Sequence, residues 1–257
     1  MPKVKFIVDI EYDAMTTWNM LHMQDPAGRE SRIASMRVSA NDAKKLIDTD
    51  TFEEAKDFAI EYLEKRHAAK RQQIQRAKKD YQREWDKIND VFFDKTKALT
   101  EHAWTHPTYK VVLSPLNEGV SDMRGDTVVR SALEDSKDQL RITAHELLMH
   151  HTWHVIWKLF PESEENPSFE YWAANELVTN AVLGLDPGFK DLWSKKTRGY
   201  DKYLRNYPQL DEVKMLLKDE YKEKRSFKDF MKEAYKKVAT SSGTLDETIH
   251  LFPRGIT

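Results

Sequence analysis

From Phe52 to Leu99 the chain contains neither glycine nor proline, and this stretch constrains the fold more than any other feature. With neither residue present, nothing in it marks a helix stop. Phe58, Tyr62, Ile74, Tyr81, Trp85, Ile88 and Phe92 recur along it by threes, fours and sevens with gaps, the pattern of an apolar stripe on a helix. The spacing predicts a long helical arm over residues 51–104, either one helix or two with a single bend. Upstream, in residues 1–50, the β-branched and aromatic run from Lys3 to Tyr12 predicts a strand, and Met15 to Gly28 a turn or irregular segment. Asn41 and Thr51 are cap-like starts for two helices.

Downstream of the arm, His106-Pro107 ends the helical pattern, and Tyr109 to Ser114 has the character of a short strand closed by Pro115. A glycine-containing loop spans Asn117 to Asp126. Helical spacing returns from Asp138 to Leu159, again from Phe169 to Leu183, and twice between Asp211 and Val238. The fold class is therefore α+β, mainly α, with a small β-sheet. No internal repeat or low-complexity linker separates residues 1–50, 51–104, 105–200 and 201–257, so one integrated domain is expected.

The 257 residues carry 41 Lys and Arg against 43 Asp and Glu, so overall charge gives no reason to expect nucleic acid. Apolar runs fall short of the ~20 residues of a membrane span, and the N-terminus lacks the long apolar core of a signal peptide. No membrane association and a cytoplasmic setting are expected. There is no cysteine, which excludes disulfides, thiolate metal sites and a cysteine nucleophile, and leaves His, Asp and Glu as the only strong metal ligands.

Four of the nine histidines fall in one predicted helix, as His145, His150, His151 and His154, with Glu146 among them. A borderline ion such as Zn²⁺ needs imidazole nitrogens and carboxylate oxygens converging on one point. On a regular helix Glu146, His150 and His154 lie about 40° apart in succession and form a polar stripe, whereas His145 and His150 are about 140° apart. Chelation by that second pair demands a one-residue π-bulge. A purely structural reading stands beside these: Ile142, His145, Met149, Thr152, Ile156 and Leu159 follow a three-four spacing that would bury them, His145 included, against a core. The next helix is mostly small or apolar, yet carries Asn175, Glu176, Thr179 and Asn180 in its middle.

The order His145-Glu146 on a helix after a strand, followed by Glu176 on a second helix, resembles the glutamate-ligand branch of the zincin metallopeptidases. The motif departs from the family's His-Glu-x-x-His, because Met149 holds the fifth position and His150 comes one residue late. The resemblance covers residues 105 to 185. It implies Zn²⁺ held by His145, His150 and Glu176, with His154 or His151 as alternative ligands, and Glu146 as general base for a metal-bound water. A peptide or protein is the implied substrate, paired by β-addition to the strand from Tyr109 to Ser114. Asn175, Thr179 and Asn180 would support Glu176, and His102, His106, His151 and Tyr171 are candidate oxyanion donors.

Two rival functions come from other features. The first is a non-catalytic helical binding protein on a zincin-like scaffold. The second is nucleic-acid binding through Lys65 to Lys87, which holds nine Lys or Arg against three Asp or Glu. The bland account of that segment is a solvated helix face.

Overall fold

The computed structural model of the chain describes residues 1–22, 33, 34, 36, 38–116, 122–165, 168–193, 211–223 and 226–241. It is α+β and mainly helical, with one four-stranded sheet. The chain divides into two compact units: a sheet unit, chiefly Pro2–Asn89 and His106–Thr143, and a helical unit, chiefly Asp90–Thr105 and Ala144–Leu251.

In the sheet unit, β1 (Lys3–Ile7), β2 (Thr108–Ser114), β3 (Asp122–Arg124) and β4 (Thr127–Ser131) stand in the order β1-β2-β4-β3. β1, β2 and β4 run parallel, with Val4 beside Tyr109 and Val111 beside Val128. Parallel strands are covered on both faces, which is why Val111, Val112, Leu113 and Ser114 form a continuous buried run rather than an alternating one. β3 returns antiparallel to β4 through a turn in which Gly125 adopts φ +53°, a conformation that glycine enters without a Cβ penalty.

The predicted strand to Tyr12 stops at Ile7, and the segment read as irregular from Met15 instead belongs to helix α1 (Ile10–His22). Asp9 is the reason. Its carboxylate accepts from the Tyr12 N–H at 3.0 Å, and its carbonyl starts the helical ladder from Asp13. Ser39, rather than Asn41, caps α2 (Ala40–Ile47) by accepting from the Asp42 N–H. Thr51 caps as expected. The remainder of the Met15–Gly28 segment, beyond His22, lies outside the described residues.

The glycine-free stretch forms three helices, α3 (Phe52–Ala69), α4 (Arg71–Asp86) and α5 (Asn89–Thr100). The first break is at Lys70, whose N–H turns back to the last carbonyls of α3. α1, α2 and α3 enclose a core that includes Ala14, Met20, Leu21, Leu46, Ala59 and Leu63. α4 buries Ile74, Ala77, Tyr81 and Trp85.

β1 lies at an edge of the sheet, and an edge exposes unpaired backbone groups. The Gln82 side chain of α4 covers it: its amide nitrogen donates to the Val4 carbonyl at 3.0 Å while its amide oxygen accepts from the Phe6 N–H at 3.0 Å. The two bonds reproduce one step of a neighbouring strand.

The helical unit is built around α8 (Phe169–Leu185), which is buried almost all round. α6 (Ser136–Leu159) enters this unit at Ala144. α7 (Glu162–Glu165), α9 (Pro187–Lys190), α10 (Asp211–Glu223) and α11 (Phe227–Ser241) complete it. α8 packs on α9, α10 and α11. Phe92, Phe93, Trp104 and Phe189 form an aromatic cluster with edge-to-face contacts at 4.6 to 6.1 Å.

Replacing Gln82 by Ala is expected to lower unfolding free energy by about 1–2 kcal/mol, the loss of two backbone-directed hydrogen bonds. Urea unfolding midpoints measure it. Arg83→Ala, on the exposed side of α4, should change stability by less than about 0.5 kcal/mol.

Candidate functional site

α6 is an unbroken α-helix from Ser136 to Leu159. It contains no π-bulge, so His145 and His150 keep the separation of about 140° that regular geometry imposes. The structure sends the proposed ligands to different partners.

His145 is buried and faces α8, where its Nε2 lies 3.2 Å from Glu176 Oε2. The other Glu176 oxygen accepts from the Asn180 amide at 3.0 Å. Two helical turns further along α6, Thr152 donates to the Asn175 side-chain oxygen, and the Asn175 amide donates to the Met149 carbonyl at 2.9 Å. The contacts of His145 with Glu176 and of Asn175 with Thr152 and Met149 form a polar seam between the two helices. Asn180 supports Glu176 within α8, whereas Asn175 ties α8 to α6.

His150 lies on a different side of α6. Its Nε2 is 3.4 Å from Nε2 of His154, whose ring meets Trp157 edge-on at 4.7 Å. Half-buried Glu146 lies about 40° around the helix from His150. Trp153 and Trp157 stack at 6.3 Å and are only half-buried, so they do not fill the core as their apolar character suggests.

His151 points a third way. Its Nε2 lies 2.8 Å from Thr100 Oγ1, whose own hydroxyl hydrogen is used by the Thr96 carbonyl at 2.8 Å. The Trp104 ring lies 4.2 Å from the His151 ring. Burial, reinforced by His102, His154 and His150, pushes the His151 pKa down from 6.5 to about 3. His102 is also lowered, by burial first and then by the nearby Lys158 and Lys228.

Among the described residues, no group of three or more His, Cys, Asp or Glu side chains is placed to hold a metal ion. The zincin reading is corrected on that ground. His145, His150 and Glu176 do not form a metal triad, His154 and His151 do not substitute in it, and the Zn²⁺ assignment falls with them. Glu146 loses its role as base, since that role required a water activated by the ion. The metallopeptidase activity and the meaning given to the HExxxH spacing fall for the same reason.

The substrate-binding parts of that reading also lack a structural basis. β2 lies between β1 and β4, so the stretch from Tyr109 to Ser114 has no free edge for a peptide. The Tyr171 hydroxyl donates to Glu162 at 2.8 Å and its ring stacks on Tyr235 at 4.4 Å. His106 belongs to the sheet unit, where its backbone N–H donates to Tyr109.

Two features of the sheet unit stand out instead. Asp13 and His67, both buried, meet at 2.9 Å between Asp13 Oδ2 and His67 Nε2. Burial raises the Asp13 pKa, against the lowering effects of His67 and Ser114. The two are 54 residues apart on different helices, and neither has a neighbour in sequence that marks the pairing. The second feature is the basic segment. Lys65 pairs with Glu61, Arg76 and Arg83 with Asp80, and Lys87 with Glu84. Lys70, Arg71, Lys78 and Lys79 have no carboxylate partner among the described residues.

Comparison with protein-family models, with curated protein sequences and with solved structures yields no match for this chain. Among the described residues, no helix is long and apolar enough to cross a membrane.

The His151 shift has a definite sign. The unfolded chain takes up a proton near pH 6.5, whereas the folded one resists until about pH 3. Stability from this group is complete above 6.5 and is lost as pH falls toward 3, with a slope of at most about 1.4 kcal/mol per pH unit. His151→Gln should flatten the fall in urea midpoint between pH 7 and pH 5. In the seam, Asn175→Ala is expected to cost about 1–3 kcal/mol, measured by the same unfolding experiment.

Proposed function

We propose that the chain is a helical binding protein that holds an acidic protein segment along α4 of the sheet unit. The observation that carries this reading is the division of charge on that helix. Of the nine Lys and Arg from Lys65 to Lys87, Lys65, Arg76, Arg83 and Lys87 pair with carboxylates and Arg66 donates to the Tyr62 hydroxyl, which leaves Lys70, Arg71, Lys78 and Lys79. Arg71 and Lys78 are seven residues apart and so share one edge of α4, with Lys79 about 100° further round. From Arg71 to Lys79 the helix rises about 12 Å, enough to meet several side chains of an extended acidic segment.

The aromatic pattern favours protein over nucleic acid. Single-stranded nucleic acid is held by exposed rings on which bases stack, but the aromatic residues of α4, Tyr81 and Trp85, are buried at 3% and 0% exposure. The seam between α6 and α8 serves stability in this reading and takes no part in recognition.

Fluorescence anisotropy with a labelled Asp/Glu-rich dodecapeptide tests the proposal. Binding is expected at low salt, weakening roughly tenfold between 50 and 300 mM as exposed charges are screened. The triple variant Lys70→Gln, Lys78→Gln, Lys79→Gln should weaken it by a similar factor. Absence of binding at low salt, or tighter binding of a single-stranded oligonucleotide of equal length, would overturn it.

A further inference from the structure

Beside α3 and α4 the sheet unit contains a cavity of about 360 Å³, a size typical of small-molecule sites. One wall is the stripe of side chains that continues from α3 into α4, including His67, Arg71, Ile74 and Gln75. The opposite wall is Val8 and Ile10, where the chain leaves β1 and begins α1. The lining therefore has an apolar side made by Val8, Ile10 and Ile74, and a polar side made by a histidine, an arginine and a glutamine.

The polar side is preorganised. His67 is 7% exposed, and its Nε2 is engaged by Asp13, which is 0% exposed. Nδ1 is then the ring nitrogen available to the cavity. Asp13 holds the His67 ring from behind and so fixes the direction in which Nδ1 faces. Arg71 lies four residues further along the same stripe with no carboxylate partner among the described residues, and Gln75 follows after another four. All three side chains line the same cavity, on either side of the break at Lys70.

Glu64 lines the cavity at its other end. It precedes Arg71 by seven residues, about 10 Å along the helical path. This carboxylate repels a second negative charge and confines an anionic group to the Arg71 end. A planar guanidinium fork matches a carboxylate in two-point contact, and the apolar wall accommodates a hydrocarbon body rather than a further polar group.

We infer that this cavity is a binding site for a small organic monocarboxylate, its carboxylate held by Arg71, His67 and Gln75 and its apolar body against Val8, Ile10 and Ile74. The site is distinct in its ligand from the acidic-segment surface, although Arg71 borders both.

Calorimetric titration of the full chain with 4-phenylbutanoate, and with 4-phenylbutan-1-ol as the uncharged counterpart, tests this. The carboxylate should bind at least about tenfold more tightly than the alcohol, the margin expected of a charge-assisted pair. Arg71→Gln, on an exposed side chain that folding does not require, should erase that preference. Ala68→Trp, which fills the cavity from its rim and leaves every charge in place, should weaken both ligands at least tenfold. In ¹⁵N-labelled protein the His67 ring resonances should shift on addition of the carboxylate. No binding, equal affinity for acid and alcohol, or binding unaffected by Ala68→Trp would overturn the inference. The triple lysine variant separates it from the acidic-segment reading: carboxylate affinity should be unchanged within twofold, and its loss would show attraction to the charged surface instead of a seat in the cavity.

Discussion

A helix with nearly every side chain out of water carries amides and carboxylates at a large cost unless each is met by a partner. α8 is such a helix, and Asn175, Glu176 and Asn180 sit in its middle. That requirement organises the helical unit. It recruits His145, Thr152 and the Met149 carbonyl from α6, and it fixes how far along each other the two helices lie, because amides and carboxylates tolerate little sliding. An all-apolar contact would leave the same pair free to shift by a turn.

The same requirement accounts for the histidines. Four imidazoles in ten residues suggest convergence, yet on a regular helix adjacent positions diverge by about 100°. His145 is taken by α8, His150 and His154 by each other, and His151 by Thr100. The cluster in sequence divides in space: His145 turns to α8, while His150, His151 and His154 stay near one another and near His102. His151, with its pKa near 3, stays neutral through the physiological range, consistent with a packing role beneath Trp104.

Much of the architecture was legible in the residues. The α+β class, the strand from Tyr109, the helices on either side of Pro161 and the cap at Thr51 all follow from local patterns. So did the strangeness of the polar residues in α8, and the geometric demand for a π-bulge identified what had to be seen for the metal reading to hold. Other features left no local trace. The breaks at Lys70 and Lys87 fall where no glycine or proline stands, and arise because α3, α4 and α5 each follow a different stretch of core. α1 is hidden by its threonines, and Asp9 is its one local start signal. The pairing of Asp13 with His67 joins two helices 54 residues apart, and only the fold brings an ordinary aspartate and an ordinary histidine together. Gln82 is similarly anonymous until β1 is found beside it.

The parallel pairing of β1 with β2 has a consequence for how the chain reaches this arrangement. Val4 meets Tyr109 across about a hundred intervening residues, most of them helical. Helices form from neighbours in sequence, whereas this contact must close a very long loop before it is rewarded.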